Sequence, residues 1–205
     1  MSACHIMSQC SHGCLNLPIV GDRKDSSTMG EEVQICMELS CPALETGVQA
    51  ILDWFETGWK KGCSLLVTGG TGVGKTHLLT RITEAAAPTA LMVAESKLFA
   101  DIRERERLGD EDDVVARYAS FPLLLLDDVG SARAKSKEWV WGVYQDLFDR
   151  RIGMATVVAT NLRGQTFIDY IGRRAWSRLS GSLGGPDGVV KLWDVPDYRQ
   201  RGWAK

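Results

Sequence analysis

Apolar residues recur along this chain with two periods, and the switches between them mark the elements. Val48, Ile51, Leu52, Phe55 and Trp59 follow helical spacing, with Gly58 and Gly62 marking the exit. Ser64 to Thr68 reads as a short apolar strand feeding a glycine-rich loop. A helix is expected over Lys75 to Ala87, stopped by Pro88, and then a second strand over Ala90 to Ala94. A charged helix follows through Arg107, and another lies around Val114 to Tyr118. Leu123 to Leu126 is a fully apolar strand running into Asp127-Asp128. The next helix carries Val140, Val143, Tyr144, Leu147 and Phe148 on one face. Ala155 to Ala159 is a further buried strand, ending at Thr160-Asn161. Strands alternating with helices predict an α/β fold whose parallel sheet is covered on both faces.

Composition changes this picture mainly at the N-terminal side. A chain of 205 residues, 44% hydrophobic, can bury one good core with little left for a second. Cys4, Cys10, Cys14, Cys36 and Cys41 all precede Pro42, and only Cys63 follows it. The expected boundary therefore divides a Cys-rich region, 1–41, from the α/β domain, 42–205. Gly21 to Gly30 is polar and reads as a loop or hairpin connection. Without a secretory signal the cysteines argue for reduced thiols or a metal site. Cys10, Cys14, Cys36 and Cys41 could supply four thiolates to a structural Zn²⁺, which would help so small a region fold. Cys4, His5 and His12 offer competing ligand sets, and a tail with free thiols is the alternative. A net charge of −2 gives no general push toward nucleic acid or membrane, and no run reaches membrane-spanning length. A soluble, cytoplasmic protein is expected.

The candidate chemistry sits at the strand ends. Gly69-Gly70-Thr71-Gly72-Val73-Gly74-Lys75-Thr76 matches the phosphate-binding loop G-x-x-x-x-G-K-[ST], between a strand and a helix as the mechanism requires. Backbone N–H groups of Gly69 to His77 and the helix N-terminus would cradle the phosphates of ATP. Lys75 would reach the β- and γ-phosphates, and Thr76 would hold Mg²⁺. Two adjacent carboxylates ending a buried strand are costly unless a cation or a reaction uses them. Asp127 is thus the second Mg²⁺ residue, and Asp128 would orient or deprotonate the attacking water. Asn161 would face the γ-phosphate if its strand lies between the other two, although an Asn opening a loop needs no function.

The order of these motifs, followed by Arg173-Arg174-Ala175-Trp176-Ser177-Arg178-Leu179, resembles the AAA+ ATPases. Within them it is similar to the DnaC-type helicase loaders and the IstB-type transposition ATPases, from about Leu44 onward. Asp127-Asp128-Val129-Gly130 and Asp197-Tyr198-Arg199 carry the narrower likeness. The resemblance implies a three-layer α-β-α sandwich with a five-stranded parallel sheet and no full C-terminal lid. It implies an arginine finger at Arg178, acting on a neighbour's γ-phosphate in a head-to-tail homo-oligomer, with Arg174 one turn earlier on the same face. It gives Arg199 the role of sensor arginine. A solvated basic face and a basic tail are the plain alternatives for these arginines. Two departures stand out. Asp128 occupies a position where many such ATPases carry Glu, and its shorter reach suits a slow switch. The N-terminal region is too short to be the helical helicase-binding domain of the best-known loaders.

The implied function is loading of a replicative DNA helicase onto single-stranded DNA. A transposition helper, a P-loop small-molecule kinase and a nucleotide-gated adaptor are the alternatives. From Arg163 to Lys205, eight basic residues face four acidic ones. Lys97, Arg103, Arg105 and Arg107 are further candidates for DNA contact, but Glu104 and Glu106 interleave with them, which favours a surface helix of paired charges. Trp54, Trp59, Trp139 and Trp141 are expected to pack helices onto the sheet rather than stack bases.

Overall fold

The computed structural model describes residues 15–18, 32–35, 41–109 and 113–197. Strands β1 (Leu15–Pro18) and β2 (Glu32–Ile35) pair antiparallel, and the expected connection between them lies outside the described residues. The rest forms a three-layer sandwich. In chain order its elements are α1 (Pro42–Thr57), β3 (Leu65–Gly69), α2 (Lys75–Ala85), β4 (Ala90–Ala94), α3 (Glu95–Leu108) and α4 (Val114–Ala119). Then come β5 (Leu123–Val129), α5 (Lys137–Arg150), β6 (Ala155–Thr160), α6 (Gly164–Ile171), α7 (Arg173–Ser182) and β7 (Val189–Leu192). The five strands β4-β5-β6-β3-β7 form one sheet, and every pairing is parallel.

The period of two along each strand divides the core. Leu65, Val67, Leu123, Leu125, Val157 and Ala159 point to the face covered by α1 and α2. Leu66, Leu124, Leu126 and Val158 point to the face covered by α3 to α7. Because both faces are covered, the central strands read as continuous apolar runs. Local signals set the helix ends. Pro42 opens α1, where a missing N–H costs nothing. The Ser136 hydroxyl caps α5 by accepting from the Trp139 N–H at 3.2 Å. Helix α2 stops at Ala85, two residues short of the expected Ala87, since the residue before Pro88 is driven out of helical geometry.

Three of the four tryptophans behave as expected. Trp54 and Trp59 are buried on either side of Phe55, and Trp139 meets Phe99 edge-on at 4.9 Å. Trp141 does not pack onto the sheet; it is 37% exposed and its indole N–H donates to the Asp169 carbonyl. One residue past Val140, it is rotated off the buried stripe of α5 by about 100°.

Candidate functional site

Strand order places β6 between β5 and β3, so the ends of all three strands converge. The glycine-rich loop follows β3, and α2 starts at Lys75. Gly72 and Gly74 have φ of 73° and 93°, the left-handed values that let the loop curl. Lys75 is only 7% exposed. Its Nζ donates to the Gly69 and Gly70 carbonyls at 3.0 and 2.7 Å, and to Asn161 Oδ1 at 2.5 Å. Burial pushes the Lys75 pKa below the ordinary lysine value, and the charges of Asp128 and Asp127 oppose that shift.

The remaining groups interlock around this ammonium. Thr76 Oγ1 donates to Asp127 Oδ2 at 2.9 Å, and Asn161 Nδ2 donates to Asp128 Oδ1 at 3.2 Å. A hydroxyl beside two carboxylates is an all-oxygen donor set, which fits Mg²⁺. Asp127 is buried, whereas Asp128 is exposed at a register shift between Leu126 and Val129, with φ of 55°. The irregularity turns Asp128 out of the sheet toward Asn161. Asp tolerates left-handed backbone better than most side chains, a physical reason for Asp at this position.

Several supporting residues carry no sequence signal of their own. Glu95, fully buried at the start of α3, accepts the N–H groups of Gly130 and Ala132 at 2.9 and 3.0 Å, fixing the turn after Asp128. Tyr144 Oη donates to its other oxygen. Burial pushes the Glu95 pKa up, against these hydrogen bonds. Thr160 Oγ1 donates to the Val129 carbonyl at 2.7 Å and ties β6 to the irregularity. Asp197 brings the C-terminal segment onto the loop, its Oδ1 lying where a Cβ on Gly72 would stand.

Other sequence candidates lie elsewhere. His77 stands in the first turn of α2, next to Thr76, and the charged neighbours of its side chain are Arg81 and Glu84, farther along the helix. Arg174 and Arg178 are both exposed on α7. Arg178 stands at the opposite end of the sheet, donating through Nε to Asp149 at 2.6 Å. Helix α7 closes where β3 is about to start, with the Ser182 carbonyl accepting the Ser64 N–H at 2.7 Å. Strand β3 then separates this end from the phosphate loop by about 16 Å. Arg178 therefore does not serve the loop of its own chain. Among the α3 candidates, Lys97 pairs with Asp101 at 2.5 Å and Arg107 with Glu104 at 2.8 Å, as the paired-charge reading expects, whereas Arg103 donates to the Phe99 and Arg133 carbonyls. Arg199, Cys10, Cys14 and Cys36 lie outside the described residues. Cys41 precedes α1 with its Sγ 4.0 Å from the Asp194 carbonyl. No group of three or more metal-ligating side chains and no helix long and apolar enough to cross a membrane occurs among the described residues.

No family model matches the chain. The chromosomal replication initiator protein DnaA of Sphingopyxis alaskensis is 35% identical over 126 residues, covering 58% of this chain and 27% of that protein. The chain spans about a quarter of the length of the curated relatives it matches. Among solved structures, the DnaC helicase loader aligns with a TM-score of 0.61 at 17% identity, over 74% of this chain and 91% of that one. The replication initiator DnaA bound to AMPPCP and single-stranded DNA aligns with a TM-score of 0.62 at 20% identity, over 75% and 47%. These neighbours agree with the resemblance carried by the motifs, and the chain shares the three-layer parallel-sheet fold of the DnaC and DnaA structures it aligns with.

Proposed function

We propose that this chain binds and hydrolyses ATP in DNA replication, and that it loads a replicative helicase onto single-stranded DNA. The observation that carries the ATPase reading is the continuous link Asp128–Asn161–Lys75 beside Thr76–Asp127, at the mouth of the phosphate loop. The backbone N–H groups of the loop would receive the phosphates, and Lys75 Nζ would exchange its carbonyl partners for β- and γ-oxygens. Thr76 and Asp127 would hold Mg²⁺, which supplies charge neutralisation between those phosphates. Asp128 would orient a water toward the γ-phosphorus and accept its proton as the bond to the bridging β–γ oxygen breaks. Asn161, bonded to both Lys75 and Asp128, would fix that water and register whether the γ-phosphate is present. Arg178 would complete the site of a neighbouring copy in a head-to-tail assembly. The remaining proposals are the boundary at Pro42, the sensor role of Arg199 and a zinc site of Cys10, Cys14, Cys36 and Cys41.

The helicase-loading reading is supported by the likeness to DnaC across nearly the whole of that structure. It predicts ATPase activity stimulated by single-stranded DNA, and recovery of a hexameric helicase by Asp128→Asn protein held in its ATP form. Failure of both sinks it. The sequence match to DnaA favours a second reading, an initiator that assembles on origin DNA without a helicase partner. Recovery of duplex origin DNA in place of helicase would select it.

A further inference from the structure

Arg178 and Asp149 meet at the end of the sheet where β3 and β6 begin. Asp149 lies in the last turn of α5, and its Oδ1 accepts from Arg178 Nε of α7 at 2.6 Å. Among the described residues, Asp149 is the one partner of this guanidinium. The contact uses the Nε edge alone. A carboxylate in that place fixes the plane and direction of the fork while its terminal amino groups stay available.

Stability does not account for the pair. The two side chains are 54% and 38% exposed, and exposed ion pairs add little to folding. Helices α5 and α7 are already joined through buried Leu147, Phe148, Ala175 and Leu179. The next residue behaves differently: Arg150 is held by two carboxylates, Asp146 and Asp113, each at 2.7 Å. A free exposed arginine samples many rotamers, and engaging a phosphate would cost that freedom. Tethered at Nε, Arg178 has lost part of it beforehand.

We infer that Asp149 is a positioning residue, holding Arg178 so that its terminal amino groups face the γ-phosphate bound by a neighbouring copy. The inference rests on the proposed head-to-tail site. Asp149 neither touches nucleotide nor belongs to the site of its own chain, so its effect must appear in the copy that donates the arginine.

Subunit mixing tests this. Lys75→Ala protein has an intact finger and no working loop; Arg178→Ala protein has the reverse. Mixed, they should restore turnover. A Lys75→Ala/Asp149→Ala donor should restore on the order of 10-fold less, because small misplacements of a positioned group are expensive. Placing Asp149→Ala in the Arg178→Ala partner should change neither turnover nor that partner's ATP affinity, and Asp149→Ala should leave the melting temperature of either protein unchanged. A Lys75→Ala/Asp149→Asn donor, which keeps an oxygen acceptor for Nε, should recover most of the loss. If the first mixture stays inactive, the proposed shared site is wrong and the inference falls with it. If the first mixture works and the Asp149→Ala donor works equally well, the shared site stands and the positioning role is overturned.

Discussion

The two ends of the parallel sheet hold positive charge in opposite ways. Where the strands finish, Lys75 is almost enclosed, and three oxygens surround its ammonium before any ligand arrives. Where the strands begin, Arg178 is exposed with a single carboxylate on one edge. A buried cation must be satisfied from within the chain, because an unpaired buried charge is expensive. An exposed one can remain partly free for another molecule. Burial, more than residue type, makes this difference. Arg151 lies at the same end as Arg178 yet is 2% exposed; it donates to Thr156 Oγ1 and to the carbonyls of Ala119, Phe121 and Ala155. Burial pulls its pKa down to about 10.

Three arginine and lysine substitutions break the comparison most sharply. Lys75→Ala should abolish nucleotide binding together with turnover. Arg178→Ala should leave ATP binding intact while lowering turnover on the order of 10³-fold, the usual scale for losing an arginine finger. Equilibrium binding of a fluorescent ATP analogue, set beside steady-state hydrolysis, separates the two. Equal losses of binding would show that both ends serve one site. Arg151→Ala should do neither. Removing it strands several buried acceptors and should cost about 3 kcal/mol of folding stability. Urea unfolding measures this, and activity per folded molecule should hold.

The extent to which the sequence is legible follows the same division. The phosphate loop, Asp127-Asp128 and Asn161 can be read because each ends an apolar run; that their strand ends are neighbours follows from the sheet order, which spacing along the chain does not give. Their supports depend on contacts between distant residues: Glu95 with Gly130 and Ala132, Asp149 with Arg178, Gly72 with Asp197. No local pattern announces these. Glu95 looks like one more charge opening a charged helix. Strand β7 escapes because four residues that include Lys191 carry too little period to register. Trp141 departs from its expected place because the stripe through Val140, Val143 and Tyr144 turns it outward, a phase the spacing of those residues already carried.

A smaller effect is expected at the loop itself. Gly72 combines φ of 73° with an Asp197 oxygen where a Cβ would go. Gly72→Ala puts a left-handed strain of about 1–2 kcal/mol, together with the displacement of Asp197, into the loop that would receive the phosphates, so ATP should bind about 10-fold more weakly. Gly109 has φ of 63° and open space around its Cβ position, so Gly109→Ala carries strain without the clash. If both leave ATP affinity alike, the approach of Asp197 to the loop has no bearing on the nucleotide.

The smallest effect concerns Glu95, the buried acid under the turn after β5. Its folded-state pKa is raised above the ordinary 4.5, chiefly by burial. The folded protein therefore keeps this proton to higher pH than the unfolded chain does. That contribution to stability is fully present below 4.5 and is lost as pH rises through the folded-state value. The amide introduced by Glu95→Gln cannot titrate; its oxygen can still accept from the N–H groups of Gly130 and Ala132, and its amino group can face Tyr144. Stability of the natural protein minus that of the variant should thus fall as pH rises from about 4 and then level. Urea midpoints across that range test it, and parallel profiles would mean that Glu95 is not the buried titrating group. Hydrolysis should change little in the variant, because the turn beyond Asp128 keeps both its hydrogen bonds.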